Sequence, residues 1–580
     1  MATVIPLDEY ISEEWYPGFT PAFDHAPFYV EPFRTFTKED EKRFWFLDFH
    51  WPRGLTPLGL IWNEDGYAWG TQSAAENLPL PPGRGLSVRI AGVHTYASPI
   101  DIESGFEIGE RAGRMGPYLG NFIANFDEIW ADRRDEVERS WQHFLAMDPA
   151  SMSLPELSAM LKEARVFHKR AFEIHFEVMY PLLVNYLGFF GWCAEAGIDT
   201  SQIGKFLQGY DTKIMETDRE LWNLTRAAKA DGLQALFAAN RAEDLNAALA
   251  ADPSAAGFVQ KFQDFLAVYG YRTEGSCDVA LPSWIEEPAP ALGMIKSFLE
   301  KEEEHDFDGA LAAAIAEREE AIEAARSGLS AEEQIAFDAG VASCQAANFP
   351  WWQDDHNYYI DLRVSLPLRW AAMAIAAKVG ADNPEDGIYL FWPEIVAVAD
   401  GEKSYEEFRE LVAQRRVYFA ESRAKRSTMP KVLGTVPEAV ADPVLIEIFG
   451  LNEHFLNAIK AAGSDSDVRT LTGLPASKGK ARGIARVFND ADELHRLTPG
   501  DILVCESTSP NWTPAFAKIA ACVCDGGGML SHAAIVGREY GVPTVTAVGL
   551  ATVVIADGDE IEVDGDAGTV TVFKRAGAEA

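Results

Sequence analysis

"DGGGMLSHAAIVGREYGVP", Asp525 to Pro543, decides how the C-terminal part of this chain is read. The stretch follows "ACVC", a short apolar run of the kind that forms a buried strand, and three glycines then break the run. Glycine tolerates positive φ and lets a bulky group approach the backbone. After the turn, "SHAAIVGREYG" has a helical pattern that stops at Gly541, with Pro543 close behind. Ser531 stands where an N-cap belongs, so His532 falls in the first turn, where backbone N–H groups have no helical acceptor. A helix N-terminus attracts negative charge and disfavours imidazolium. The spacing is read as a neutral, nucleophilic His532 in a place that welcomes a phosphoryl group, with Gly526, Gly527, Gly528 and Ser531 forming its loop; the competing view is a histidine that only caps or packs at the helix start.

Around this loop, "GIARVF", "DILVCE", "PTVTAV", "DEIEVDG" and "TVTVF" read as Val/Ile-rich strands, and "PAFAKIA" as a further helical piece. Alternating strand and helix predict one small α/β domain over residues 473–580. "AAGSDSDVRTLTG" before it is small and polar, which suits a linker at 461–472. Residues 105–460 carry apolar side chains every three or four positions and read as mainly helical. One helix there opens on a Ser–x–x–Glu capping box at Ser153 and Glu156. A hairpin with its turn near "RSGLSAEE" and helices within 366–380 and 404–425 follow from the same pattern. Residues 1–104 are rich in aromatics, Pro and Gly, with extended runs such as "GLSVRIAGVHTYAS", and read as strands and loops. The expected fold class is a mixed α and β multidomain protein, a large mainly helical portion followed by a C-terminal α/β domain.

Composition narrows the function. At 580 residues the chain exceeds one core, and roughly two to four domains are expected. The 89 acidic residues against 50 basic ones give a formal charge of −39, which repels phosphate backbones and anionic lipid. Nucleic-acid and membrane-surface partners are therefore not expected. The acidic N-terminus lacks the pattern of a signal peptide. "MYPLLVNYLGFFGWCAEAG", 179–197, carries Pro181 and Asn185 and reads as a buried helical stretch, not a membrane span. Six scattered cysteines suit free thiols in the cytoplasm. No metal site is legible: HExxH and HxxxH patterns are absent, and "EKEEEHD", 300–306, reads as a solvated helix face.

The histidine stretch resembles the signature of the phosphohistidine swivelling domain of the PEP-utilising enzymes, found in PEP synthase, pyruvate phosphate dikinase, rifampin phosphotransferase and split phenylphosphate synthases. "GLPASKGKARGIARVF" (473–488), "LTPGDILVCESTSPNWTPAF" (497–516) and "ADGDEIEVDGDAGTVTVF" (556–573) resemble the other segments of that domain. The resemblance implies that His532 becomes phosphorylated, with Gly527 and Gly528 beneath it. Gly537 stands where many relatives have alanine, a difference expected to affect packing only. "YGYRTEGSCDVALPSWIEEP" (269–288), "WWQDDHNYYIDLRVSLPLRWAAMAIAAKVG" (351–380) and "HWPRGLTPLGLIW" (50–62) are similar to parts of the rifampin phosphotransferase-like central region, with Tyr271 in place of a histidine.

In such relatives an ATP-grasp domain phosphorylates the histidine. The resemblance begins near residue 45, and no GxxxxGK motif appears, so a separate ATP-grasp-like nucleotide-binding subunit using ATP and Mg²⁺ is the expected donor. "PPGRGLSV", 81–88, reads as a turn. The acceptor-binding portion, residues 1–460, is aromatic-rich, as in "NFPWWQDDHNYYIDL", which suits a small aromatic hydroxyl such as a phenol or alkylphenol. His356 is the candidate base within "QDDHNYY", beside Asp355, and Arg272 the candidate cation for steering phosphate. The competing view of Asp354–His356 is a helix cap or a pair with Arg363. His50 and His175, in aromatic settings, read as core histidines. Two alternatives stand beside the phenol-phosphorylating enzyme. One is a phosphohistidine carrier or regulatory protein without acceptor chemistry, the other a component of a rifamycin-like antibiotic phosphotransferase.

Overall fold

Strand alternation and helical periodicity resolve into two sheets set among many helices. The computed structural model describes residues 3–11, 16–18, 34–273, 275, 277–301, 306–461, 469–508, 512–529 and 531–577. These fall into two units, one of residues 1–188 and 367–580 and one of residues 189–366. The cuts at 188 and 366 both lie inside the stretch 105–460 that sequence periodicity treats as one helical portion.

In the first unit the N-terminal extended runs form a six-stranded sheet. Its centre is the hairpin of Gly83–Ala91 and His94–Asp101, turned at Gly92 with φ +61°, beside Phe44–Leu47. "PPGRGLSV" thus lies mostly in strand, from Gly83 onward. The sheet is completed by Val432–Thr435, far down the chain, which pairs antiparallel with both Phe44–Leu47 and Val4–Ile5. One face buries Leu7, Phe36, Trp45, Tyr96 and Leu433. Against the sheet lies Asn63–Thr71, a π-helix whose residues are almost all buried. Widened turns of this kind recur at functional sites. Gly70 is required there, because a Cβ would come within 2.8 Å of Phe176.

The C-terminal α/β domain belongs to the same unit. Its eight-stranded sheet has four parallel neighbours at the centre, Lys480–Phe488, Ile502–Cys505, Ala521–Cys524 and Thr544–Thr546. Antiparallel strands flank them. Apolar side chains cover both faces, Val504, Val523 and Val563 on one and Leu503, Phe516 and Val536 on the other. Residues 470–472, read from sequence as the end of a linker, form an edge strand, Thr470–Thr472, that pairs with Thr569–Lys574 and buries Leu471. Alternation over three residues is too short to distinguish from a polar linker. Linker residues 462–468 lie outside the described residues.

The second unit is helical. Lys213–Ala230, Ala256–Tyr269 and Ala289–Leu299 bury Leu221, Trp222, Phe258, Phe262 and Ile295 in a common core. The expected hairpin is formed by Phe307–Ser327 and Ala331–Ala346, the second helix opened by a capping box of Ser330 and Glu333. In "EKEEEHD", 302–305 lie outside the described residues. Among the described residues no helix is long and apolar enough to cross a membrane. All six cysteines are buried, and none forms a disulfide.

Candidate functional site

The strand Ala521–Cys524 is fully buried and ends at Asp525, whose carboxylate accepts from the backbone N–H and the hydroxyl of Thr552. The chain then turns through Gly526–Gly528 and enters the helix His532–Tyr540, closed by Gly541 in the left-handed conformation. Only Gly527 needs positive φ, at +90°. Ser531 holds the N-cap position, but its hydroxyl donates to Gly528 O at 2.9 Å and does not cap. His532 is thus the first helical residue. Among the described residues nothing accepts from the backbone N–H groups of His532, Ala533 or Ala534, so the helix offers open donors beside the ring.

The ring of His532 is half-buried between two threonines. Thr508 Oγ1 lies 2.8 Å from Nδ1 and Thr513 Oγ1 3.3 Å from Nε2, with Phe516 meeting the ring edge-on. Burial pushes its pKa down to about 3, so the imidazole is neutral at physiological pH. A neutral imidazole keeps one ring nitrogen lone pair for attack. Nε2, with the longer contact, is the freer nitrogen. Sequence reasoning did not single out Thr508 and Thr513, although both lie in the quoted segment 497–516.

The glycine loop is seated on the body of its own unit. Gly528 N–H donates to Glu447 O at 2.8 Å, and a Cβ at Gly528 would come within 2.6 Å of that same oxygen. A Cβ at Gly526 would meet Phe49 at 2.9 Å, and one at Gly450 would meet Gly527 N at 2.6 Å. Close approach at Gly526 and Gly528 therefore admits protein, where the sequence argument expected an anion. Ion pairs ring this contact. Arg426 donates to Glu506 and to Asp48 O, Lys431 pairs with Glu506 and Asp525, and Asp490 takes Arg53 and Arg423. Burial alone would raise the pKa of Glu506, but Arg426 and Lys431 override it and hold it near 2.

The facing surface of the body is aromatic. A small cavity of about 30 Å³ is lined by Phe46, Phe49, Phe449, Phe455, Lys431 and Gly526. Beside Phe49, His50 Nδ1 lies 2.9 Å from Asp48 Oδ1, while Tyr67 donates its hydroxyl to Asp48 Oδ2. The side chain of His50 is 29% exposed and that of Asp48 1%, so His50 is not the core histidine expected from its aromatic neighbours. A larger cavity of about 310 Å³ is lined by Tyr10, Ile90, His94, Tyr418, Ser422 and Lys425. Burial and Arg426 push the pKa of His94 down to about 3.

The other sequence candidates lie in the second unit. His356 is fully buried, stacked on Trp352 at 4.1 Å, with Nδ1 2.9 Å from Trp352 O and Nε2 3.3 Å from Asp361. Arg272 is buried over Trp284 at 4.4 Å. It opposes the burial that drives Asp218 up to about 7 and Asp354 up to about 6. Asp355 is buried as well. The structure therefore gathers His532, Gly526, Gly527, Gly528 and Ser531 in one loop and sets Arg272, Asp355 and His356 in a separate helical unit. His175 is buried edge-on to Phe176, in keeping with a core histidine.

Two family models match the chain. The mobile domain of PEP-utilising enzymes matches residues 497–568, and the fourth domain of rifampicin phosphotransferase matches residues 178–347. An uncharacterised phosphotransferase of Bacillus subtilis, YvkC, is 30% identical over 71% of this chain and 49% of its own length. The rifampicin phosphotransferase of Bacillus cereus is 28% identical over 53% of this chain and 34% of its own. The chondramide synthase of Chondromyces crocatus is 29% identical over 92% of this chain but 14% of its own. The chain spans about half or less of the length of these relatives.

Proposed function

Because the chain belongs to the PEP-utilising enzyme family and is rifampicin phosphotransferase-like, we propose that it is a phosphotransferase that carries phosphate on His532. A neutral imidazole at an uncapped helix N-terminus is the observation that supports this reading most directly. The Nε2 lone pair attacks the donor phosphorus, and the donor oxygen departs with its electron pair. The helix N–H groups then face the new phosphoryl oxygens. In the second half-reaction an acceptor oxygen attacks the same phosphorus, the P–N bond breaks, and its electron pair returns to the ring. The acceptor hydroxyl gives up its proton in the process.

We take the donor to be ATP with Mg²⁺, bound mainly by a separate ATP-grasp-like subunit, and the reaction to be cytoplasmic. The acceptor is a phenol or alkylphenol, which the aromatic-rich make-up of residues 1–460 suits. We take the docked loop to be the state that serves the second half-reaction, with carrier and acceptor face together. Reaching the donor then requires the α/β domain to leave that face.

Phosphoramidate phosphorylates exposed histidines without a partner protein and separates the two halves. It is expected to phosphorylate position 532 of the wild-type chain, a site lost in His532→Ala, and added phenol is expected to discharge that label as aryl phosphate. Peptide mass spectrometry and ³¹P NMR read the two steps. Equal aryl phosphate from His532→Ala overturns the proposal.

A further inference from the structure

The second half-reaction needs somewhere for the acceptor's proton to go. Phenol ionises with a pKa of roughly 10, so near neutral pH it attacks as a protonated, poor nucleophile unless a base stands at its oxygen. His532 cannot be that base, because its lone pair is spent on phosphorus. The face on which the histidine loop sits carries another imidazole whose surroundings have the layout of an oriented base.

Asp48 uses both carboxylate oxygens on that ring and its supports. Oδ1 accepts from the backbone N–H of His50 at 2.7 Å and faces Nδ1 at 2.9 Å. Oδ2 accepts from Tyr67, which is itself buried. A carboxylate so held keeps the proton of His50 on Nδ1 and leaves the lone pair on Nε2. Among the described residues nothing hydrogen-bonds to Nε2, and the side chain is 29% exposed. Phe49, Phe449 and Trp51 surround the imidazole with ring centroids 4.7, 5.2 and 5.8 Å away, the setting an aromatic acceptor requires.

The group also lies at the docking contact. Phe49 packs against Gly526 of the histidine loop, and Arg426 donates to Asp48 O while holding Glu506 of the α/β domain. The π-helix that supplies Tyr67 lies outside the α/β domain, as do Asp48 and His50, so all three sit on one side of the contact.

We propose that His50 is the catalytic base of acceptor phosphorylation, with Asp48 and Tyr67 as its positioning residues and an aromatic hydroxyl bound at His50 Nε2 among Phe49, Trp51 and Phe449. This rests on the phosphotransfer reading above. As the acceptor oxygen bonds to phosphorus and the P–N bond of phosphohistidine 532 breaks, the hydroxyl proton passes to Nε2. The resulting imidazolium is stabilised by Asp48 and later returns its proton to water.

The test loads wild type, His50→Ala, His50→Gln and Asp48→Asn with phosphoramidate, then chases with phenol or with a nitrophenol that is already ionised. Loading at position 532 is expected to match in all four proteins, which also reports an intact α/β domain. Transfer to phenol is expected to fall about 10²–10⁴-fold in His50→Ala. Transfer to the ionised nitrophenol is expected to fall less than about tenfold, because no proton needs removing. Added imidazole is expected to restore phenol transfer in His50→Ala but not in His50→Gln. Equal losses with both acceptors mean that the ring only packs, and an undiminished rate with phenol means that it does nothing, so either result overturns the base. A wild-type chain that loads at 532 yet discharges to neither phenol overturns the phosphotransfer reading itself.

Discussion

A histidine that opens a helix and is packed between two threonines behaves differently from one in water. His532 stays neutral because burial depresses its pKa to about 3, well below the usual value. The sign follows from proton linkage. The folded state holds the neutral ring, so its favourable contribution is complete above the ordinary histidine range and is lost as pH falls toward 3. Chemical phosphorylation of His532 is therefore expected to show no inflection between about pH 8 and pH 5, where an ordinary histidine titrates. Peptide mass spectrometry of position 532 across that range checks this, and a midpoint near 6.5 contradicts it. This residue was legible in the sequence because its signals are local, a glycine run, a helical period and a helix stop. His50 was not. Its partners Asp48 and Phe49 are adjacent, but its openness depends on a π-helix, on Phe449, and on a docked domain that no local pattern encodes.

At the scale of elements, the glycine loop and the turn at Glu447–Gly450 are shaped for each other. Gly528→Ala places a methyl group 2.6 Å from Glu447 O, against backbone that cannot swing aside. The α/β domain has its own sheet and two cores, so the substitution is expected to weaken docking and leave that domain folded. Small-angle scattering is expected to show a larger radius of gyration for Gly528→Ala, with phosphoramidate loading of His532 retained. An unchanged radius contradicts the role given to the loop. Strands with strong alternation, such as Lys480–Phe488 and Glu560–Asp564, were readable one at a time. Val432–Thr435 was not, since only its partners Phe44–Leu47 and Val4–Ile5, at the opposite end of the chain, make it a strand.

Across the first unit, the docked arrangement depends on a small set of buried charges. Glu506 is held near pKa 2 against an ordinary 4.5 by Arg426 and Lys431. A depressed carboxylate stabilises the docked state fully above its ordinary pKa, and that contribution drains away as pH falls through about 2. Glu506→Gln leaves two buried cations facing an amide, and breaking a buried pair in this way costs about 3–5 kcal/mol. The variant is expected to show separate thermal transitions for body and α/β domain where the wild type shows a joint one, as read by calorimetry. Arg53 and Arg423 on Asp490 are more exposed and contribute less in salt.

All four of those cations, Arg53, Arg423, Arg426 and Lys431, sit on the body, and all three acids, Asp490, Glu506 and Asp525, ride on the α/β domain. Departure of the domain, as proposed above, would leave an otherwise strongly negative protein displaying an electropositive hollow. Sulfate or inorganic phosphate from the medium is expected to settle there and contest the seat with the returning domain, which would make the choice of buffer salt part of the enzymology.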